Sequence, residues 1–258
     1  MFETLLRWYN VVALVVVLLV NRFAETQPVK GLTTGEISAM FPVKITPAPY
    51  AFAIWGVIYA LLLGFVVVQF LPSKRVHDEI RSIGPWFGVS CFFNISWILV
   101  WQSLNITSSL FAMLGLLVSL AVIYLNTRQN GWSSDNAIRW WVQVPFSIYL
   151  GWVSVATLVN FSVVLYANGW NGFGLSETFW TVLLILVASL LSLLVGFRYK
   201  DAFYMLVTVW ALVAIGIANP GNMTLGYMAW GAAGLLLAYA LLLLNANGWV
   251  RRTKMVEG

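Results

Sequence analysis

The sequence is poor in the residues that carry most protein chemistry. It holds one cysteine, Cys91, and one histidine, His77, in 258 residues. A single cysteine excludes an intramolecular disulfide and leaves no basis for a cysteine metal site. A single histidine excludes a two-histidine metal site and bis-histidine haem ligation. Ser96, Ser103 and Ser154 lie in apolar runs with no histidine near them, so a serine–histidine hydrolase is not expected. Charge is scarce as well, at 9% of residues, against roughly a quarter in soluble domains. No charged residue falls in the middle of an apolar run. A charge kept at mid-bilayer costs roughly 2.5–3.5 kcal/mol and usually marks an ion or proton path. A proton-coupled pump, a voltage sensor and a charged-filter channel are therefore disfavoured, and no acid–base pair offers itself for catalysis. The expectation is no catalytic residue, no metal and no nucleic-acid partner.

What the chain has instead is apolar length. It is 61% hydrophobic and 16% aromatic, with 14 tryptophans. Such a composition cannot cover itself with polar surface, so its solvent is a lipid bilayer. A spanning helix needs about 20 apolar residues. Eight segments approach this: 6–22, 50–71, 86–104, 108–126, 140–166, 178–197, 202–218 and 223–246. Turn-forming stretches such as "LPSKRVHDEIRSIGP", "NTRQNGWSSDN" and "NPGN" separate them. The fold class is all-α, a polytopic membrane helix bundle. The first apolar run follows Glu3 and meets no small-residue cleavage site, so it reads as a retained span and not as a signal peptide.

Basic residues orient the bundle. With the N-terminus cytoplasmic, the inside holds Arg7, Lys74, Arg75, Arg81, Arg128, Arg139, Arg198, Lys200, Arg251, Arg252 and Lys254. The outside holds only Arg22, Lys30 and Lys44. That bias supports an even number of spans with both termini cytoplasmic. A bacterial plasma membrane is the expected location. The one long loop, 23–49, is then outside, where Pro42, Pro47 and Pro49 stiffen its descent into the second span. Long loops often cover a site.

The third span breaks the apolar pattern with "NISWILVWQSLN". At about 100° per residue, Ser90, Asn94, Trp97, Trp101 and Asn105 fall within an arc of about 80°, with Gln102 beside them. Spans two and five carry matching faces, Phe52, Trp55, Tyr59 and Gln69 on one and Tyr149, Trp152, Ala156 and Asn160 on the other. Polar faces in lipid must meet other helices or a cavity. They serve either as interhelical glue or as the wall of a shared aromatic pocket. Two weaker patterns accompany them. Leu120, Tyr124 and Arg128 match a cholesterol-contact pattern of low specificity. Gly226, Gly231 and Gly234 in the last span suggest close helix packing.

Three segments in order, "TPAPYAFAIWGVIYALLLG" (46–64), "NISWILVW" (94–101) and "IYLGWVSVATLVN" (148–160), resemble spans two, three and five of the TspO/MBR family, the tryptophan-rich sensory or translocator proteins. The resemblance covers residues 1–166, and residues 167–258 form an added three-span segment with a basic cytoplasmic tail. It implies a five-helix core, commonly dimeric, with a pocket capped by the first loop. The implied ligand is hydrophobic and planar, a protoporphyrin or haem-like tetrapyrrole, with no resident cofactor. The implied ligand-binding residues are Pro47, Trp55, Tyr59, Asn94, Trp97, Tyr149, Trp152, Ala156 and Asn160, and the periodic stripe adds Trp101. Where the family's loop carries two tryptophans, this chain has Gly35 and Lys44. The expected function is binding, by a sensor or carrier of such a ligand. The alternatives are a porphyrin-degrading enzyme, disfavoured by the missing loop tryptophans, and a non-catalytic membrane scaffold that docks a partner through its last three spans.

Overall fold

The computed structural model describes residues 2–75 and 77–246. Expectations for Arg251, Arg252 and Lys254 lie outside the described residues. Eight long helices coincide with the eight apolar segments: α1 (Phe2–Thr26), α2 (Ile54–Val68), α3 (Trp86–Gln102), α4 (Ile106–Asn126), α5 (Val144–Ala167), α6 (Glu177–Tyr199), α7 (Ala202–Ala218) and α8 (Met223–Ala246). Among the described residues, six helical segments are long and apolar enough to cross a membrane, and α3 and α7 are shorter apolar helices. At 17 residues each, those two still reach about 25 Å at 1.5 Å per residue.

Local chemistry sets the helix ends. Pro49 opens a 3-10 turn, Pro49–Ala53, that leads into α2, at a position where a missing N–H costs nothing. A positive φ of 60° at Leu104 stops α3 and turns the chain into α4. Asn105 is therefore exposed beyond the helix and does not continue the polar stripe. Pro145 falls early in α5, where the Trp141 carbonyl would normally accept from an N–H that proline lacks. The chain absorbs this with a π-helical turn, Arg139–Gln143, just before α5. Lys200 leaves α6 in the left-handed region, and Asp201 caps α7 by accepting from the Phe203 and Tyr204 amides at 3.0 and 3.1 Å.

The first five long helices close into a ring. α1 packs on α2 and α3, α3 on α4, α4 on α5, and α5 returns to α2. The three C-terminal helices attach to it through α7, which lies along α5. Gly151 permits that approach, because a Cβ there would sit 3.2 Å from the Tyr204 carbonyl oxygen and from Val207. α6 and α8 then flank α7, and α6 also touches α5. Of the three α8 glycines, Gly226 is buried, but Gly231 and Gly234 are exposed, with open space where a Cβ would stand. Ala229, Ala233 and Ala240 form the buried seam instead. Outward faces are apolar, with Phe111 and Val118 on α4 and Leu190, Leu194 and Phe197 on α6 strongly exposed. Continuous apolar surface of this kind belongs in lipid.

One polar cluster sits at the end of the bundle away from the long loop. Arg128 and Asp201, both almost wholly buried, pair at 3.2 Å. The Asp201 carboxylate also accepts from Ser147 at 2.6 Å and Tyr124 at 2.9 Å, and Arg128 donates to the Gln143 carbonyl at 2.9 Å. The guanidinium lies over the rings of Tyr124 and Trp132, 4.2 and 4.4 Å from their centroids. The cluster ties α4, the π turn and α7 together. It also answers the cholesterol pattern: Leu120, Tyr124 and Arg128 are all buried, so none of them faces lipid.

Candidate functional site

The loop after α1 folds over the opposite end of the ring. Its short helix, Thr34–Ala39, starts with a capping box. The Thr33 amide and hydroxyl donate to the Glu36 carboxylate at 2.7 and 2.8 Å, and the Glu36 amide donates back to the Thr33 hydroxyl at 3.3 Å. The Thr33 amide, then its hydroxyl, hold the Glu36 carboxyl below the usual carboxylate range. The fully buried Ile37 packs this helix beside Trp101, Ile106 and Val163, and the Trp101 indole donates to the Thr34 carbonyl at 3.2 Å.

Under the loop lies a cavity of about 1200 Å³. Its walls include Asn21, Pro47, Phe52, Trp55, Tyr59, Asn94 and Trp97. Arg22, Glu25, Glu36 and Lys44 place charge among its lining residues. A small inner chamber of about 50 Å³ shares Thr34, Ser38, Pro47, Phe52, Trp55 and Trp97 with it and adds Trp101, Trp152, Ala156 and Asn160. Nine of the ten expected site residues therefore line one of two adjoining spaces. The tenth, Tyr149, stands behind the wall, where its hydroxyl accepts from Asn94 Nδ2 at 2.9 Å.

The rings are ordered against each other. Trp55 stacks on Tyr59 with centroids 5.6 Å apart, and Trp97 stacks on Trp101 at the same distance. Trp55 meets Tyr149 edge-on at 5.7 Å, and Phe52 meets Trp152 edge-on at 5.8 Å. Such pairs contribute about 0.5–1.5 kcal/mol beyond area burial. Four helices meet through amides. The Tyr59 hydroxyl donates to Asn21 Oδ1 at 2.7 Å, and Asn21 Nδ2 donates to Asn94 Oδ1 at 3.0 Å. The Trp97 indole donates to Asn160 Oδ1 at 3.0 Å. Asn94 and Asn160 are thus engaged within the protein and hold the walls in place. Among the described residues, the buried polar atoms at the two spaces that lack a protein partner are Thr34 Oγ1, Thr46 Oγ1 and the Trp152 indole nitrogen.

Sequence reasoning missed Asn21, Thr34 and Thr46. Asn21 carried a faint signal, an amide closing the apolar run of α1, but nothing linked it to Tyr59 and Asn94. Two residues of the predicted faces serve other ends. Gln69 lies at the far end of α2, where it accepts from Asn10 at 3.1 Å. Gln102 donates to the Ala24 carbonyl at 2.6 Å and accepts from the Val29 amide at 3.2 Å, fastening the start of the loop.

The loop is gripped from the C-terminal side as well. The Ala48 amide donates to the Ala214 carbonyl at 3.1 Å, and Trp210 donates to the Ala51 carbonyl at 3.0 Å. Asn219 donates to the Lys44 carbonyl at 2.9 Å. Lys44 itself pairs with Glu177 of α6 at 3.4 Å. Gly35 lines the cavity with open space where a side chain would go.

Comparison with known proteins adds one finding. A family model described as TSPO-like protein matches residues 7–242, a range that runs on through α6, α7 and most of α8. No curated protein and no solved structure matches the chain.

Proposed function

This chain belongs to the TSPO-like protein family, and we propose that it binds a planar, hydrophobic small molecule of the tetrapyrrole class in the cavity beneath its first loop. One observation carries the reading. Three helices converge their tryptophans, Trp55 of α2, Trp97 and Trp101 of α3 and Trp152 of α5, on two adjoining spaces under a fastened loop. The larger space is on the scale of small-molecule pockets, which run to roughly 1,000 Å³. Flat aromatic walls favour a flat aromatic ligand through stacking. The hydroxyls of Thr34 and Thr46 and the Trp152 N–H supply donors for oxygen atoms on its edge. In this reading the protein is a sensor or carrier and acts in a membrane with both termini cytoplasmic and the loop outside. Arg7, Lys74, Arg75 and Arg81 on the side away from the loop support that orientation. A homodimer is part of the same reading.

The test is a titration of the detergent-purified protein with protoporphyrin, followed by tryptophan quenching and the Soret shift. Saturable binding is expected, weakened about tenfold by Trp97→Ala or Trp152→Ala, since that corresponds to about 1.4 kcal/mol of lost stacking and contact. Affinity unchanged in both folded variants would remove the cavity as the binding site. No saturable binding would remove the tetrapyrrole.

A further inference from the structure

A second apolar space opens between α5 and α6. It is a groove of about 620 Å³. Phe161 and Val187 at its flanks are both substantially exposed, so it faces the lipid side of the bundle. Its mouth is aromatic: Trp170 and Trp180 meet with centroids 4.8 Å apart, and Phe173 lies 5.5 Å from Trp170. One wall of this groove is α5 and the other is α6.

The groove and the main cavity share two lining residues, Val43 and Lys44. The wall between them is therefore one segment of the loop. That segment has no regular secondary structure. It is held by side chains: Lys44 reaches Glu177 at 3.4 Å and Thr178 at 3.5 Å, and Asn219 holds the Lys44 carbonyl. The Lys44 and Glu177 side chains are 35% and 64% exposed. A solvent-screened pair of this kind is weak and easily opened. Ile45, buried among α6, α7 and α8, anchors the far side of the segment.

We propose that this groove is a second, membrane-side binding station for the hydrophobic ligand, and that Lys44 and Glu177 latch the Val43–Ile45 partition between it and the cavity. The inference rests on the reading of the cavity as a ligand site. A ligand dissolved in the bilayer first lodges against Trp170 and Trp180. It then passes the partition when the latch opens. Helix α6 supplies one wall of the station and one half of the latch.

The experiment uses full-length protein in liposomes preloaded with protoporphyrin. In a Cys91→Ala background, Lys44→Cys and Glu177→Cys are joined by a reducible methanethiosulfonate linker. Uptake into the cavity is expected to slow about threefold or more when linked, and to recover on reduction. Glu177→Ala is expected to raise the on-rate and off-rate together. Equal uptake rates in linked and reduced protein would overturn the proposal while leaving the cavity reading intact. Absence of binding in every form would instead overturn the tetrapyrrole reading. A probe that needs no tetrapyrrole then decides the partition. Ser38→Cys in the cavity, again without Cys91, is labelled by pyrene maleimide dissolved in the bilayer. Faster labelling in Glu177→Ala supports the latch, and equal labelling with and without Glu177 overturns it.

Discussion

The indole N–H of Trp97 on α3 donates to Oδ1 of Asn160 on α5 over 3.0 Å, and Asn160 donates its own amide to Ser109 on α4 at 2.9 Å. Three helices of the ring are pinned by one amide at the edge of the inner chamber. The same residues that would stack on a ligand thus depend on their polar neighbours for position.

That dependence is measurable. Asn160→Leu keeps the volume but leaves the Trp97 N–H without its partner, while the Ser109 hydroxyl keeps its bond to the Ile106 carbonyl at 2.7 Å. A loss of about 1–2 kcal/mol is expected, since interhelical hydrogen bonds in membranes are individually modest. Thermal melting in detergent measures it. The double variant Trp97→Phe, Asn160→Leu should cost less than the sum of its parts. Strict additivity would mean that the pair is not coupled.

Asn21 makes a sharper case, because no motif pointed to it. It joins Tyr59 of α2 to Asn94 of α3 through one side chain. Asn21→Leu releases both partners at the cavity wall. We expect about 1–3 kcal/mol of destabilisation from the two stranded polar groups and weaker protoporphyrin binding. Wild-type affinity in a folded Asn21→Leu protein would show that the network does not shape the site.

At the other end, the Arg128–Asp201 pair predicts an asymmetry between single and double replacement. Asp201→Leu strands a buried guanidinium, at a cost of about 3–5 kcal/mol. The protein should then elute as aggregate in fluorescence-detected size exclusion. Arg128→Met combined with Asp201→Leu should recover a folded peak, because apolar replacement of a buried pair is often tolerated. The lost α7 cap still costs about 1 kcal/mol in the double variant. Equal damage in single and double variants would mean that the charges themselves are not the issue.

The loop carries a pH dependence through Glu36. Its carboxyl is held below the usual range by Thr33, so the folded loop favours the ionised form. The stabilisation is fully present above the unfolded carboxyl value of about 4.3 and is lost as pH falls through the lower folded value. Hydrogen exchange of residues 33–39, corrected for intrinsic rate, should accelerate below about pH 4. Glu36→Gln should exchange faster at neutral pH and lose that acid-dependent step.

How much of this could be read in advance depends on the kind of information. Eight helices, their approximate bounds and the inward faces of α2, α3 and α5 follow from apolar length and a 3.6-residue period, which are local properties of the chain. The proline at 49 and the "NPGN" turn at 219–222 announce helix ends for equally local reasons. Asn94, Trp97, Trp152 and Asn160 were legible as a set because each sits on a face that lipid would penalise.

Tertiary structure decided everything that needed a second helix. Periodicity says that a side chain faces inward, and it does not say whom it meets. So Gln69 and Gln102, on polar faces by angle, were drawn away from the cavity by Asn10 and by the end of α1. Tyr149 went behind the wall, Asn105 fell past a helix end, and Asn21 entered the site from a helix with no motif. Arg128 and Asp201, far apart in sequence and each near a span end, could be read only as interfacial charges. Packing brought them into one buried pair, where their mutual attraction and hydrogen bonds offset part of the cost that either charge would carry if buried alone. The grip of α6, α7 and α8 on the loop was beyond sequence for the same reason: its contacts join residues more than a hundred positions apart.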